Sequence, residues 1–177
     1  MGVIEQQAAG GDLRFYKNQV GPSVAALVME PMDREKQAVG RELSLSELWS
    51  VQRWYEESYH VTGDGLWDSL MRNPYYEGFH APGLLLGYNH ILDEIPNSLV
   101  PVSELGAALG VPTPMTDAII DLAAAMAHID FRKHGRTREV LGLDGLTAEE
   151  ILARVNVGPL VGDARTYGLA RRIPWFA

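Results

Sequence analysis

Residues 113–127 read TPMTDAIIDLAAAMA, and this stretch decides the fold class. Proline in second place suits the first turn of a helix, where its missing N–H is not needed. Apolar side chains then recur at spacings of three and four, which is typical of an amphipathic helix. These side chains are Met115, Ile119, Leu122 and Met126. The small alanines beside them allow close packing, so we expect a helix that lies against other helices.

Similar patterns predict further helices along the chain. One begins at Pro22 and should be kinked by Pro31. A second is expected after residues 44–47, SLSE, whose Ser and Glu are spaced for a capping box, and should run through Tyr55. Others are expected across Leu66 to Arg72, after Pro101 and after Thr147. The only candidate strand is Leu13 to Tyr16.

The sequence therefore predicts an all-α fold, a single domain of six to seven helices over residues 1–157. Residues 158–177 differ in character, because they collect three arginines and three aromatic side chains. We expect this C-terminal tail to pack on the domain or on a second subunit. A homodimer is the expected assembly, because two-fold association is the commonest for small domains.

Composition excludes several classes of function. The 177 residues include 15 basic and 23 acidic side chains, and the formal net charge of -8 has the wrong sign for binding nucleic acid or anionic membranes. No cysteine is present, which excludes thiolate chemistry and cysteine-ligated metals. The apolar runs are far shorter than the roughly 20 residues of a membrane span. We expect a soluble, cytoplasmic protein.

One segment, residues 84–96, carries a dense set of polar groups and holds most of the candidate site residues, and the others lie shortly before it. His90 and Glu94 are four positions apart, which places them on one face of a helix as an acid and base pair. Five further side chains are predicted to bind substrate, namely Tyr76, His80, Tyr88, Asn89 and Asp93. The alternative is a hydrogen-bonded core histidine followed by carboxylates that cap the next element. No metal ligand set is expected, because no two histidines are spaced i, i+4.

Three stretches carry a resemblance to a known family. They are FYKNQVGPSVA at 15–25, DEIPNSLVPVSELG at 93–106 and GVPTP at 110–114. Over residues 2 to 157 the sequence resembles the helical C-terminal domain of octopine/nopaline-type opine dehydrogenases. The resemblance implies a partner domain of the Rossmann type that binds NAD(P)H, and a reaction that reduces the imine formed by an amino acid and a 2-oxo acid.

The sequence departs from that family in its catalytic residues. The resemblance places Asn89 where the family has an arginine that binds the substrate carboxylate, and Glu94 where it has an aspartate that pairs with the catalytic histidine. The family's His-Pro motif would lie upstream of Met1, and no Rossmann motif occurs. An amide cannot replace a charged, bidentate arginine. We therefore expect His90 to supply the missing acid–base group.

Three functions follow as expectations. The first is a stand-alone domain acting as a cofactor-free enzyme that performs acid–base chemistry, such as condensation, cyclisation, isomerisation or elimination, on an amine and carbonyl or an imine. The second is the substrate-binding subunit of a split opine dehydrogenase, in which a separate Rossmann subunit supplies NAD(P). The third is a ligand-binding or assembly module without catalysis.

Overall fold

The computed structural model describes residues 10, 14–18, 20–45, 48–80 and 89–156. Within these ranges the chain forms ten α-helical segments, which are named α1 to α10 in chain order. They are α1 (Phe15–Asn18), α2 (Pro22–Val24), α3 (Glu30–Glu42), α4 (Val51–Tyr59), α5 (Leu66–Arg72), α6 (Asn89–Glu94), α7 (Val100–Leu109), α8 (Pro114–Ala127), α9 (Phe131–His134) and α10 (Ala148–Asn156). The predicted all-α class is confirmed.

The candidate strand is wrong where the structure describes it. Tyr16 lies in α1, and the only β-type pairing among the described residues is an isolated bridge between Arg14 and His80. The helical turn lets the Lys17 ammonium reach the backbone carbonyl of Met71, to which it donates a hydrogen bond. Tertiary contact with α5 therefore overrides the β tendency of this short stretch.

Two π-helical turns join helices end to end. Ala25–Met29 links α2 to α3, and Ile95–Leu99 links α6 to α7. Each turn precedes a helix with proline in its second position, at Pro31 and at Pro101. A proline ring crowds the carbonyl four residues back and cannot donate to it, and the wider π turn relieves this conflict. The kink predicted at Pro31 thus takes the form of a π turn directly before it.

The start of α4 differs from the prediction. The helix begins at Val51, and the Ser50 hydroxyl caps it by accepting a hydrogen bond of 3.1 Å from the Arg53 amide. Ser44 and Leu45 instead close the end of α3. The Asp33 carboxylate accepts a hydrogen bond of 3.1 Å from the Val51 amide. Two backbone amides of the first turn of α4, which have no partner within the helix, are thus satisfied by side-chain oxygens.

Three apolar clusters hold the helices together. The first joins the π turn at Ile95–Leu99 to α7, α8 and α9, the second joins α4, α5 and the 3-10 turn Pro74–Tyr76, and the third joins α3 to α10. Ile151 of α10 is buried in the third cluster, so this helix packs against α3. The predicted tail, 158–177, lies outside the described residues.

A half-buried carboxylate fixes α8 to α3. Glu35 accepts hydrogen bonds from the amides of Met115 and Thr116 at 2.8 and 2.9 Å, and from the Thr116 hydroxyl at 2.7 Å. These amides are free donors of the first turn of α8, which otherwise need partners. None of the helices in the described part of the chain has the length and apolar character to cross a membrane.

Candidate functional site

The two predicted carboxylates lie at the end of α6 and are exposed. The Ser98 hydroxyl donates to Glu94 Oε2 at 2.6 Å, and the Asn97 amide donates to Asp93 Oδ1 at 2.8 Å. Both contacts come from the following π turn, four residues on. They hold the carboxylates in place while leaving them accessible to a ligand.

The helix predicted for the acid–base pair is present. α6 begins at Asn89, so His90 and Glu94 are four residues apart within one helix. The side chains of Asn89 and His90, and the whole of Tyr88, lie outside the part of the chain that the structure describes. Their predicted roles stay predictions.

The other two predicted residues lie in the segment after α5. Tyr76 is buried at the end of the 3-10 turn, whereas His80 is exposed and forms the isolated bridge with Arg14. The Asn73 carboxamide caps the turn by accepting from the Tyr75 amide at 3.0 Å. This cap directs Tyr76 inward, towards three other tyrosines.

These four residues form the tyrosine cluster, which comprises Tyr16, Tyr55, Tyr59 and Tyr76. The rings of Tyr16 and Tyr76 are stacked, with centroids 4.0 Å apart and planes 17° from parallel. The hydroxyl groups of Tyr55 and Tyr76 are hydrogen-bonded at 3.0 Å, and Tyr59 is hydrogen-bonded to Tyr76 as well. Tyr76 therefore lies at the centre of the cluster.

Aromatic neighbours extend the cluster towards solvent. The Phe79 ring meets both Tyr16 and Tyr76 edge-on with centroids 5.9 Å apart, and Tyr75 lies 5.6 Å from Tyr59. Phe79 is 50% exposed and Tyr75 is 67% exposed. One side of the cluster is thus an accessible aromatic surface.

The environment keeps the hydroxyls of Tyr55 and Tyr76 protonated. Burial raises the pKa of Tyr55 to about 12, although the hydrogen bond with Tyr76 opposes this rise. Burial, followed by the hydrogen bonds with Tyr55 and Tyr59, raises the pKa of Tyr76 above its ordinary value. A neutral phenol donates a hydrogen bond, so the cluster offers donors throughout the neutral pH range.

The charge of Glu94 reaches this cluster. The pKa of Tyr16 is raised first by burial, then by Tyr59 and by the negative charge of Glu94. The Glu94 carboxylate therefore lies within electrostatic reach of the Tyr16 hydroxyl.

The sequence interpretation missed Tyr16, Tyr55 and Tyr59. The i, i+4 spacing of Tyr55 and Tyr59 was a usable signal, because it places both rings on one face of α4. No local pattern marks Tyr16, since it meets Tyr76 across 60 positions of the chain.

The basic groups of α1 and α5 near the cluster have partners. Lys17 donates to the Met71 carbonyl and lies 3.9 Å from the Glu77 carboxylate. Arg72 forms an ion pair of 2.7 Å with Asp68. Neither side chain is left with its charge uncompensated.

The described residues do not fit a dinucleotide. A nicotinamide cofactor is held by a strand, a glycine-rich turn and the start of a helix, and no such unit occurs in the described ranges. Nor do His, Asp or Glu side chains of these ranges group in threes that could hold a metal ion.

Comparison with known proteins identifies the helical domain. Residues 1–127 match the family described as "NAD/NADP octopine/nopaline dehydrogenase, alpha-helical domain". An opine dehydrogenase of Arthrobacter sp. (strain 1C) is 39% identical over 147 residues, which cover 83% of this chain and 40% of that enzyme. The chain thus spans less than half the length of this relative.

A solved structure shares the fold. It is an octopine dehydrogenase whose title names NADH and L-arginine, and it superimposes with a TM-score of 0.66 at 20% identity. The match covers 86% of this chain and 46% of the solved chain. At that identity the likeness establishes the arrangement of helices and nothing about the ligand.

Proposed function

This chain belongs to the octopine/nopaline dehydrogenase family through its alpha-helical domain, and from that premise we propose that it binds a small amine and carbonyl compound, or the imine they form, and catalyses proton transfer on it. The observation that carries the proposal is the exposed Glu94 carboxylate, which the Ser98 hydroxyl holds at 2.6 Å at the end of the helix that also contains His90. An accessible carboxylate supplies a base, and the protonated phenols that its charge reaches supply hydrogen-bond donors.

The proposed chemistry balances without a redox step. The amine nitrogen attacks the carbonyl carbon, the carbonyl oxygen takes up a proton, and the resulting carbinolamine loses water to give the imine. Glu94 accepts the proton released from nitrogen, and the Tyr16 hydroxyl stabilises the developing oxyanion by a hydrogen bond. Proton transfer from the neighbouring carbon converts the imine to an enamine and back.

The remaining site residues have supporting parts in this proposal. His90 shares the acid–base work with Glu94 one helical turn away. Asn89 and Tyr88 hydrogen-bond the substrate in place of the family's arginine, and Asp93 and His80 line the approach. Tyr76 positions Tyr16 through the ring stack at 4.0 Å.

A second candidate function is the substrate-binding part of a dehydrogenase whose Rossmann domain is a separate subunit. The matched region favours it, because the Arthrobacter relative is an opine dehydrogenase and extends well beyond this match. In that case the same site would bind the imine, and reduction would require NADH and the second subunit. The first candidate function requires that the isolated chain catalyses proton transfer on its substrate, whereas the second does not.

The proposal is tested by hydrogen exchange on a 2-oxo acid. Pyruvate and a primary amine are incubated with the protein in D2O, and loss of the methyl proton signal is followed by NMR, because enamine formation exchanges these protons. We expect exchange about 100-fold or more above the rate without protein, the usual size of general acid–base catalysis. We expect His90→Ala to reduce it at least tenfold. Exchange at the background rate would contradict the proposal.

A further inference from the structure

The π turn after α6 carries two side chains that hold exposed carboxylates. The Ser98 hydroxyl donates to Glu94 Oε2 at 2.6 Å, and the Asn97 carboxamide donates to Asp93 Oδ1 at 2.8 Å. An ionised carboxylate only accepts hydrogen bonds, and its two oxygens offer about four lone-pair positions. Ser98 uses one of these positions, so the Glu94 carboxylate is held and can still take up a proton.

The register of this turn leaves one carbonyl without a donor in the helix. The Val100 amide donates to the Ile95 carbonyl, five residues back. In the same register the next residue would donate to the Pro96 carbonyl, but that residue is Pro101, which has no N–H. The Arg136 amide supplies the missing hydrogen bond at 2.9 Å. The loop after α9 therefore holds the π turn through its backbone.

A glycine permits this close approach. A Cβ at the buried Gly135 would lie 2.7 Å from the Phe131 carbonyl oxygen and 2.9 Å from the Pro96 carbonyl oxygen. Both oxygens belong to the backbone, so neither can swing aside as the end of a side chain could. The absence of a side chain at Gly135 thus lets the Arg136 amide reach Pro96.

We infer that Ser98 is a positioning residue for the Glu94 base, and that the contact of residues 135–136 with Pro96 holds the turn that presents Ser98. This inference rests on the proposed function, because that function makes Glu94 the base. An exposed glutamate side chain samples several staggered rotamers. A hydrogen bond to a hydroxyl on a fixed turn selects one of them, so the substrate meets the base in a single arrangement.

Kinetics test the positioning role in the deuterium-exchange assay with pyruvate and a primary amine. For Ser98→Ala we expect kcat to fall about threefold to ninefold, because one or two released torsions each return to about three wells. KM should stay within about twofold, since the hydroxyl acts on the base and not on the bound substrate. Ser98→Thr keeps the hydroxyl and should restore kcat. Ser23→Ala, at an exposed serine of α2, is the matched control and should leave both constants unchanged.

A second measurement needs no turnover. The three-bond couplings between the Hα and Hβ protons of Glu94, measured by NMR, report its side-chain rotamer. We expect unequal couplings, which indicate one rotamer, in the natural chain and in Ser98→Thr, and averaged couplings in Ser98→Ala. Glu139, an exposed glutamate between α9 and α10, is the internal control and should show averaged couplings throughout.

The contact that holds the turn is tested in the natural chain by hydrogen exchange. We expect the Arg136 amide to be protected, because it donates to the carbonyl of the buried Pro96. Exchange of this amide as fast as in an unfolded peptide would overturn that part of the inference.

The positioning role and the proposed function fail separately. Averaged Glu94 couplings in the natural chain, or an unchanged kcat in Ser98→Ala beside catalysed exchange, would overturn the positioning role alone. Exchange of pyruvate at the background rate in the natural chain would reject the proposed function, and the couplings would still decide whether Ser98 fixes the carboxylate.

Discussion

At the scale of single residues, the tyrosine cluster is a set of contacts that the sequence only partly reveals. Glu94 could be named from the sequence, because polar residues are dense around it, and Tyr76 was named as a residue shortly before that segment. Tyr16 could not, because its role depends on a ring stack with Tyr76 that no local pattern encodes. The roles of His90, Asn89 and Tyr88 remain predictions.

The ionisation of Tyr55 gives a prediction about pH. Its pKa in the folded chain is about 12, against an ordinary value of 10.0. Because the folded pKa is raised, the neutral hydroxyl stabilises the fold fully below pH 10, and this contribution is lost as the pH rises towards 12. We expect Tyr55→Phe to show a shallower loss of stability over that range than the natural chain, measured by thermal unfolding.

The same variant tests the hydrogen bond between Tyr55 and Tyr76. At neutral pH its loss should lower the free energy of unfolding by about 1 kcal/mol. Tyr75→Phe is the control, because Tyr75 is 67% exposed, and it should change stability by less than about 0.5 kcal/mol. If Tyr55→Phe and Tyr75→Phe lose stability with pH equally steeply and have equal free energies of unfolding, this account of the cluster is contradicted.

At the scale of elements, the sequence predicts helices well where apolar side chains recur at helical spacing. Both α5 and α8 occupy the predicted ranges, because Leu66 and Ile120 face apolar clusters at helical spacing. The predicted start of α4 was wrong because the capping pattern at 44–47 competes with Ser50 as the helix cap. Ser50 is favoured because the Asp33 carboxylate, distant in sequence, accepts a hydrogen bond from the neighbouring Val51 amide. Which of two caps is used depends on contacts distant in sequence.

The anchoring of α8 by Glu35 gives a prediction about stability. Glu35→Ala removes three hydrogen bonds to the start of α8 and leaves its amides without acceptors. We expect the free energy of unfolding, measured with urea, to fall by about 1 to 3 kcal/mol. Glu42→Ala, an exposed position on the same helix, should cost less than about 0.5 kcal/mol. Similar losses for both variants would show that the anchor is not specific.

At the scale of the whole molecule, the chain matches one domain of enzymes that have more than one. Its assembly is a proposal: we expect two copies to associate through an apolar face, since Leu27 and Leu122 are more than half exposed. Light scattering after size exclusion should give twice 19.5 kDa for the full chain. A shortened chain that ends at Asn156 tests whether the predicted tail, 158–177, contributes to the dimer. A monomer for both the full and the shortened chain would contradict the dimer.

The central claim is that Glu94, beside the tyrosine cluster, is the base of a proton-transfer reaction on an amine and carbonyl. The most direct test is the rate of deuterium incorporation into pyruvate, with a primary amine present, for the natural chain, Glu94→Gln and Glu139→Gln. The account predicts that Glu94→Gln lowers the catalysed rate at least tenfold and that Glu139→Gln leaves the rate unchanged. Equal rates for all three proteins would contradict it.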